Sequence, residues 1–151
     1  MRAATKADIP HLLALMKDFY EESGYVLDRR RAEAAFTGLL ADPRLGRVWL
    51  VERDSVAVGH IVVTFVFAME YGGLAAWVDD FYVRPAFRDV GLGTAALAQV
   101  VRLCAGLGVR AVSVEVGADN VVAQAVYRSA GFAPIDRRLM TLGLADPADS
   151  D

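Results

Sequence analysis

Arg88-Asp89-Val90-Gly91-Leu92-Gly93-Thr94 sets one arginine and two glycines directly ahead of a helical pattern, a combination that can hold phosphate. Glycine lets the backbone approach an anion closely, and the first amides of a helix point outward without intrahelical partners. The helix dipole adds about 0.3–1 kcal/mol for a negative charge at that end, and Arg88 can add a full positive charge. The chemistry implied is the binding of a phosphorylated ligand.

The elements on either side must position this turn. Residues 77–83 (W-V-D-D-F-Y-V) are aromatic and β-branched and stop at Pro85, which predicts a strand. Residues 92–107 carry Leu92, Ala96, Val100, Leu103, Cys104 and Leu107 at helical spacing. Upstream, Thr5 or Asp8 can cap a first helix through about Glu22, with Ile9, Leu12, Leu13, Leu15, Met16 and Phe19 as its apolar side. Ser23-Gly24-Tyr25 breaks that helix, and a second is expected over 28–41, ended by Asp42-Pro43. Strands are expected at 47–52, 56–69 and 74–83, joined by turns at Arg53-Asp54-Ser55 and Tyr71-Gly72-Gly73. Gly106-Leu107-Gly108 closes the helix after the turn, and a strand over 109–116 follows. A helix over 120–130 ended by Gly131, and two last strands at 132–134 and 137–144, complete the pattern. Helices first, an antiparallel meander, then β-α-β-α-β describe an α/β fold in a single domain over 1–145, with a loose acidic tail at 146–151.

Bulk properties remove several function classes. The chain has 151 residues, long enough for one well-buried core, and 55% of them are hydrophobic, which argues against disorder. A net charge of −3 without a long basic run gives no reason to expect nucleic acid. Arg29-Arg30-Arg31 is the densest positive cluster and reads as a solvated helix face, with an anion-docking patch as the sharper option. The greasiest segment, 56–69, is interrupted by Gly59, His60 and Thr64 and is shorter than the ~20 residues of a membrane-spanning helix. With no secretory leader visible and one cysteine, a cytoplasmic protein with no membrane partner is expected. Cys104 falls on an apolar helix side and reads as core, while His11 and His60 read as structural, hydrogen-bonded histidines. Two histidines and one cysteine far apart give no metal-ligand pattern.

The order of elements, with V-R-P-A-F-R-D-V-G-L-G-T at 83–94 and N-V-V-A-Q-A-V-Y-R-S-A-G-F at 120–132, resembles the GNAT superfamily of N-acetyltransferases. The first motif is similar to the family's acetyl-CoA pyrophosphate loop. The second resembles the other half of its cofactor site through Asn120, Ala123, Tyr127, Gly131 and Phe132. The resemblance implies a mixed, mostly antiparallel central sheet flanked by about four helices. It also implies acetyl-CoA as acyl-donor cosubstrate, no metal, and direct transfer to a primary amine in a ternary complex. Cofactor contacts are then expected from Tyr82, Val83, Arg88, Asp89, Val90, Gly91, Leu92, Gly93, Thr94, Asn120 and Tyr127. The pantetheine arm would pair with the strand ending at Val83 and enter a splay between it and 109–116. A backbone N–H near Val83 would polarise the thioester carbonyl. Asp89 stands where the family often has glycine or a small polar residue, so its carboxylate must point to solvent to be compatible with a pyrophosphate.

By the same resemblance Tyr127 is the general acid for the thiolate, with packing under the sheet as the alternative. Asn120 would bond the pantetheine or cap its helix. The strand W-V-D-D-F-Y-V-R-P is similar to that of diamine acetyltransferases, which implies Asp79 as base, working through water, and Asp80 as a binder of the substrate ammonium or a loop cap. A structural pair bonded to backbone amides is the alternative. Strict alternation would put these two carboxylates on opposite sheet faces. Glu21, Glu22 and Tyr25 sit in the break between the first helices, where the family often walls its acceptor pocket, and with Glu70 and Glu115 they would favour a small cationic amine. Acetylation of a protein or peptide amino group, or a non-catalytic acyl-CoA sensor, are the alternatives. A nucleotide-phosphate binder is disfavoured because no G-x-x-x-x-G-K-[ST] run occurs. A homodimer through the C-terminal strands is a further family expectation.

Overall fold

Asp54 and Ser55 both take left-handed backbone angles, φ 51° and 63°, closing a two-residue hairpin whose twist matches that of its strands. That hairpin joins β2 (Gly46–Arg53) to β3 (Val56–Ala68). In the computed structural model, which describes residues 1–144, β1 (Arg2–Ala3), β4 (Gly73–Val83) and β5 (Val112–Val114) complete one sheet in the order β1-β2-β3-β4-β5. All neighbours are antiparallel except β4 and β5, which are parallel. The parallel step follows from the crossover helix between those strands.

Helices cover both sheet faces. α1 (Ile9–Glu22) and α2 (Arg29–Ala41) bury Leu12, Leu13, Leu15, Ala32 and Phe36 against Val48, Leu50, Val62 and Tyr82. α3 (Leu92–Gly106) and α4 (Val121–Ser129) bury Leu97, Val100, Cys104 and Tyr127 against Val51, Ile61, Val63, Ala76 and Val78. Asp28 caps α2, its carboxylate accepting from the Arg31 amide at 3.0 Å. Arg2 donates to both oxygens of buried Asp8, at 2.8 and 2.7 Å, and so ties β1 to the start of α1. Those bonds hold the Asp8 carboxyl well below the usual carboxylate range, so it is ionised at neutral pH. Among the described residues no helix is long and apolar enough to cross a membrane.

Two local features shape the site. Between Asp80↔Val62 and Val78↔Val63 the pairing slips by one residue, leaving Asp79 as an extra residue in β4. Where β3 meets the end of β4, a Cβ on Gly59 would lie 2.4 Å from the Tyr82 carbonyl oxygen, so only glycine lets the strands approach. Gly59→Ala is therefore expected to cost about 1–3 kcal/mol by forcing the backbones apart, which lowers Tm by about 2–4 °C for each kcal/mol in a calorimetric scan.

The C-terminal expectations are corrected. Residues 132–134 and 137–144 form no strand, and the strand expected over 109–116 shortens to Val112–Val114. Alternating apolar residues make a strand only where an edge and a face receive them, and Ile135, Leu139 and Met140 stay exposed. Pro134 also withholds a backbone donor. A side-chain tie anchors the segment instead: Arg137 donates to both Glu70 oxygens at 2.7 and 2.9 Å. The tail at 146–151 lies outside the described residues.

Candidate active site

β4 and β5 pair only through Ala76↔Val112, Trp77↔Ser113 and Val78↔Val114, while β4 continues to Val83. Beyond Val78 the two strands part, and a cleft of about 590 Å³ opens in the splay. From β4 it is lined by Phe81, Tyr82 and Val83, and from the turn before α3 by Arg88, Asp89, Gly91, Gly93 and Thr94. α4 and its cap contribute Asn120, Val122, Ala123, Val126 and Tyr127, and the end of α1 contributes Phe19, Glu22 and Ser23. Two motifs about thirty positions apart in sequence therefore face each other across one opening.

The turn presents the start of α3 to the cleft. Gly91 is the α3 N-cap with φ 78°, and the first helical bond runs from the Ala95 amide to the Gly91 carbonyl at 3.0 Å. The amides of Leu92, Gly93 and Thr94 therefore precede the intrahelical ladder at the cleft. Val90 and Leu92 do not line it: Val90 is exposed, and the Leu92 side chain packs on the core under α3. Asp89 is also left-handed, φ 62°, and exposed on the cleft rim, so its carboxylate reaches solvent.

Arg88 is engaged differently from the sequence expectation. Its two terminal nitrogens donate to the two Glu22 carboxylate oxygens at 2.7 and 2.8 Å, and its Nε donates to the Val83 carbonyl at 2.7 Å. The guanidinium also lies 5.4 Å from the centre of the Tyr82 ring. The arginine thus clamps the end of α1 to the end of β4, and holds the Glu22 carboxyl below its ordinary range. Sequence reading placed Glu22 at the acceptor wall. It lies at the splayed cleft because a partner 66 residues away fixes it there.

Tyr127 is buried between Phe81 and Phe132, with ring centres 6.3 and 5.6 Å away, yet it lines the cleft. Burial pushes its phenol up to about 12, so it remains a proton carrier at neutral pH. Asn120 caps α4, its Oδ1 accepting from the Ala123 amide at 3.0 Å, and lines the cleft as well. Of the two sequence alternatives for Asn120, the helix cap is the one formed.

On the α1/α2 side of β4, a second cavity of about 320 Å³ is lined by both Asp79 and Asp80. This corrects the expectation from strict alternation: the extra residue at Asp79 turns both carboxylates toward one cavity. Partial desolvation raises the Asp79 carboxyl above its ordinary value, and the Asp80 and Glu115 carboxylates add to the shift. His60, expected to be hydrogen-bonded, is fully buried with neither ring nitrogen hydrogen-bonded, and its Nε2 lies 3.8 Å from Asp80 Oδ2. Cys104 is buried core as expected, its thiol pushed up by desolvation.

The structure does not bring the other expected acceptor residues to this cavity. Glu21 pairs with Lys17 at 2.9 Å along α1, and Tyr25 is exposed with its ring 6.1 Å from Tyr20. Sequence reading missed the lining from Met16, Phe36, Leu39 and Val62. Met16 read as part of the apolar side of the first helix, and periodicity does not separate a core position from a cavity wall.

The acetyltransferase (GNAT) family model matches residues 10–132. No curated protein matches. Among solved structures, an integron cassette protein, HFX_CASS3, from the mobile metagenome of Cole Harbour Salt Marsh is 46% identical, with a TM-score of 0.87 over 97% of this chain and 91% of that one. A predicted acetyltransferase with acetyl-CoA from Clostridium acetobutylicum is 19% identical, with a TM-score of 0.80 over 93% and 94% of the two chains. AAC(6')-Iy in complex with a bisubstrate analogue, CoA-S-monomethyl-acetylneamine, is also 19% identical, with a TM-score of 0.80 over 95% and 97%. The last two likenesses carry the fold alone. With the family model spanning α1 to the end of α4, this chain belongs to the GNAT family of acetyltransferases, which use acetyl-CoA as acyl donor.

Proposed function

We propose that the chain transfers the acetyl group of acetyl-CoA to the primary amine of a small cationic molecule, by direct attack in a ternary complex. The observation that carries this reading is the meeting of two sites on one strand. Tyr82 and Val83 line the splayed cleft, and Asp79 and Asp80, a few residues earlier on β4, line the second cavity. Membership of the GNAT acetyltransferase family supports it.

The residues fit the donor. Amides of Leu92, Gly93 and Thr94 would hold the pyrophosphate, and the β4 edge left unpaired beyond Val78 would bond the pantetheine. Acetyl-CoA supplies the activated thioester. A backbone N–H near Val83 would polarise its carbonyl oxygen as negative charge develops. Asp80 would bind the ammonium, and Asp79 would take its proton, directly or through one water. An alkylamine with pKa near 10.4 is protonated at pH 7, and reaching the neutral nucleophile unaided costs about 4–5 kcal/mol. When the carbon–sulfur bond breaks, Tyr127 would give its proton to the thiolate. A phenol at about 12 is a weak acid, so a thiolate raised by the same apolar surroundings is the partner it suits.

Calorimetry with acetyl-CoA and thiol release with an amine panel test the reading together. One equivalent of acetyl-CoA bound and thiol released with an amine support it, whereas binding without release points to an acyl-CoA sensor. Tyr127→Phe is expected to lower kcat about 10²-fold with acetyl-CoA affinity nearly unchanged. Affinity falling in step with kcat would make Tyr127 a cofactor contact only.

A further inference from the structure

We infer that the acceptor is a monoamine carrying an apolar body, an alkyl or arylalkyl amine, and not a polyamine or an amino sugar. This rests on the acetyl-transfer reading above and concerns what fills the second cavity. Phe36, Leu39, Met16 and Val62 line it beside Asp79 and Asp80. Thr64 is the other polar residue among those that line it. A sugar or other hydroxyl-rich body placed against such a wall would leave donors and acceptors without partners, whereas a hydrocarbon chain or ring would lose nothing on leaving water. At about 320 Å³ the space suits one small ring or a short chain.

The charges point the same way. A polycation needs a second anionic station at a distance from the first. The acids nearby are already matched: Asp18 by Arg84 at 2.8 Å, Glu21 by Lys17 at 2.9 Å, and Glu70 by Arg137 at 2.7 Å. Glu22 is held by Arg88 at 2.7 Å. Glu115 acts on Asp79 through its charge but does not line the cavity. Buried His60, without a hydrogen-bond partner, directs Nε2 toward Asp80 from 3.8 Å. The two carboxylates are thus the only acidic groups on the cavity wall among the described residues, an arrangement for one cation.

α2 leaves the room. Ala34, Ala35 and Gly38 line the cavity, and a Cβ added at Gly38 would meet nothing within 4 Å. Gly38→Leu therefore fills space without disturbing the helix.

The test uses the full chain with saturating acetyl-CoA and thiol release as readout, against 2-phenylethylamine, hexylamine, spermidine and kanamycin. The expected result is kcat/KM at least tenfold higher for 2-phenylethylamine or hexylamine than for the two polycations. Gly38→Leu should raise KM for 2-phenylethylamine at least fivefold while the Kd of acetyl-CoA, measured by calorimetry, stays the same. Equal or better turnover of spermidine or kanamycin would overturn the inference and leave acetyl transfer standing. An unchanged KM in Gly38→Leu would remove α2 from the acceptor wall and overturn it too. No release with any amine, despite bound acetyl-CoA, would overturn the transfer reading and this inference with it.

Discussion

Gly91→Glu is expected to weaken acetyl-CoA binding about 100-fold or more, a loss of about 2.7 kcal/mol. Two effects combine at this position. Gly91 is the α3 N-cap with φ 78°, where a side chain costs about 1–2 kcal/mol of backbone strain. The new carboxylate also competes for the amides of Leu92, Gly93 and Thr94, the donors a pyrophosphate would use. Gly91→Ala separates the two, since it carries the strain without the charge. Calorimetric titration of both variants should show alanine losing mainly thermal stability and glutamate losing mainly affinity. Wild-type affinity in Gly91→Glu would mean that the donor binds elsewhere. Asp89 supplies the converse case. It is left-handed at φ 62° and on the cleft rim, so Asp89→Gly relieves strain and removes a like charge from the anion's approach. Acetyl-CoA should bind about fivefold tighter at low ionic strength, with the gain shrinking as salt is added.

Asp79→Asn is expected to lower kcat about 10²–10³-fold at neutral pH. The carboxylate removed is the one whose proton affinity is raised, first by burial and then by Asp80 and Glu115. A general base works when deprotonated, so wild-type kcat should rise with pH through a pKa above the ordinary aspartate value and then level off. In the variant the plateau should give way to a rate that climbs with pH, following the free-amine fraction of the acceptor. A pH–rate series on both proteins reads this directly, and an unchanged neutral-pH rate would remove Asp79 from proton transfer. Stability should move the other way. A carboxyl whose folded pKa is raised contributes stability when protonated and loses it as pH rises through that pKa. At pH 7 the wild type holds the disfavoured anion, so Asp79→Asn should raise Tm while lowering activity, a pattern common to functional carboxylates.

Much of the architecture was legible because local signals agreed with one another. Asp28 before an amphipathic run, Asp-Ser between two strands, and Gly91 ahead of an apolar helix each impose backbone geometry through nearest neighbours. The strands at 132–134 and 137–144 failed because alternation does not by itself supply a pairing partner: these residues stay off the sheet, with Ile135, Leu139 and Met140 exposed. The two carboxylates failed for a different reason. A bulge adds one residue to one strand, and period-two reasoning then assigns every side chain beyond it to the wrong face until the slip is known. Glu22 and Arg88 show the reach of the same problem. Each reads as a plausible site residue, yet their pairing across 66 positions sets what each one touches.

The sequence alone determined the Arg88–Thr94 turn, the order of the helices and strands from 1 to 130, and the family, because these rest on local backbone preferences and on motifs at fixed spacing. Only the tertiary structure decided that Asp79 and Asp80 share a cavity, that Arg88 clamps Glu22, and that His60 is buried against Asp80 without a hydrogen-bond partner. Those arrangements depend on register, on one extra residue in β4 and on contacts distant along the chain. Side-chain environment follows from what the packed elements bring together, which no local pattern carries.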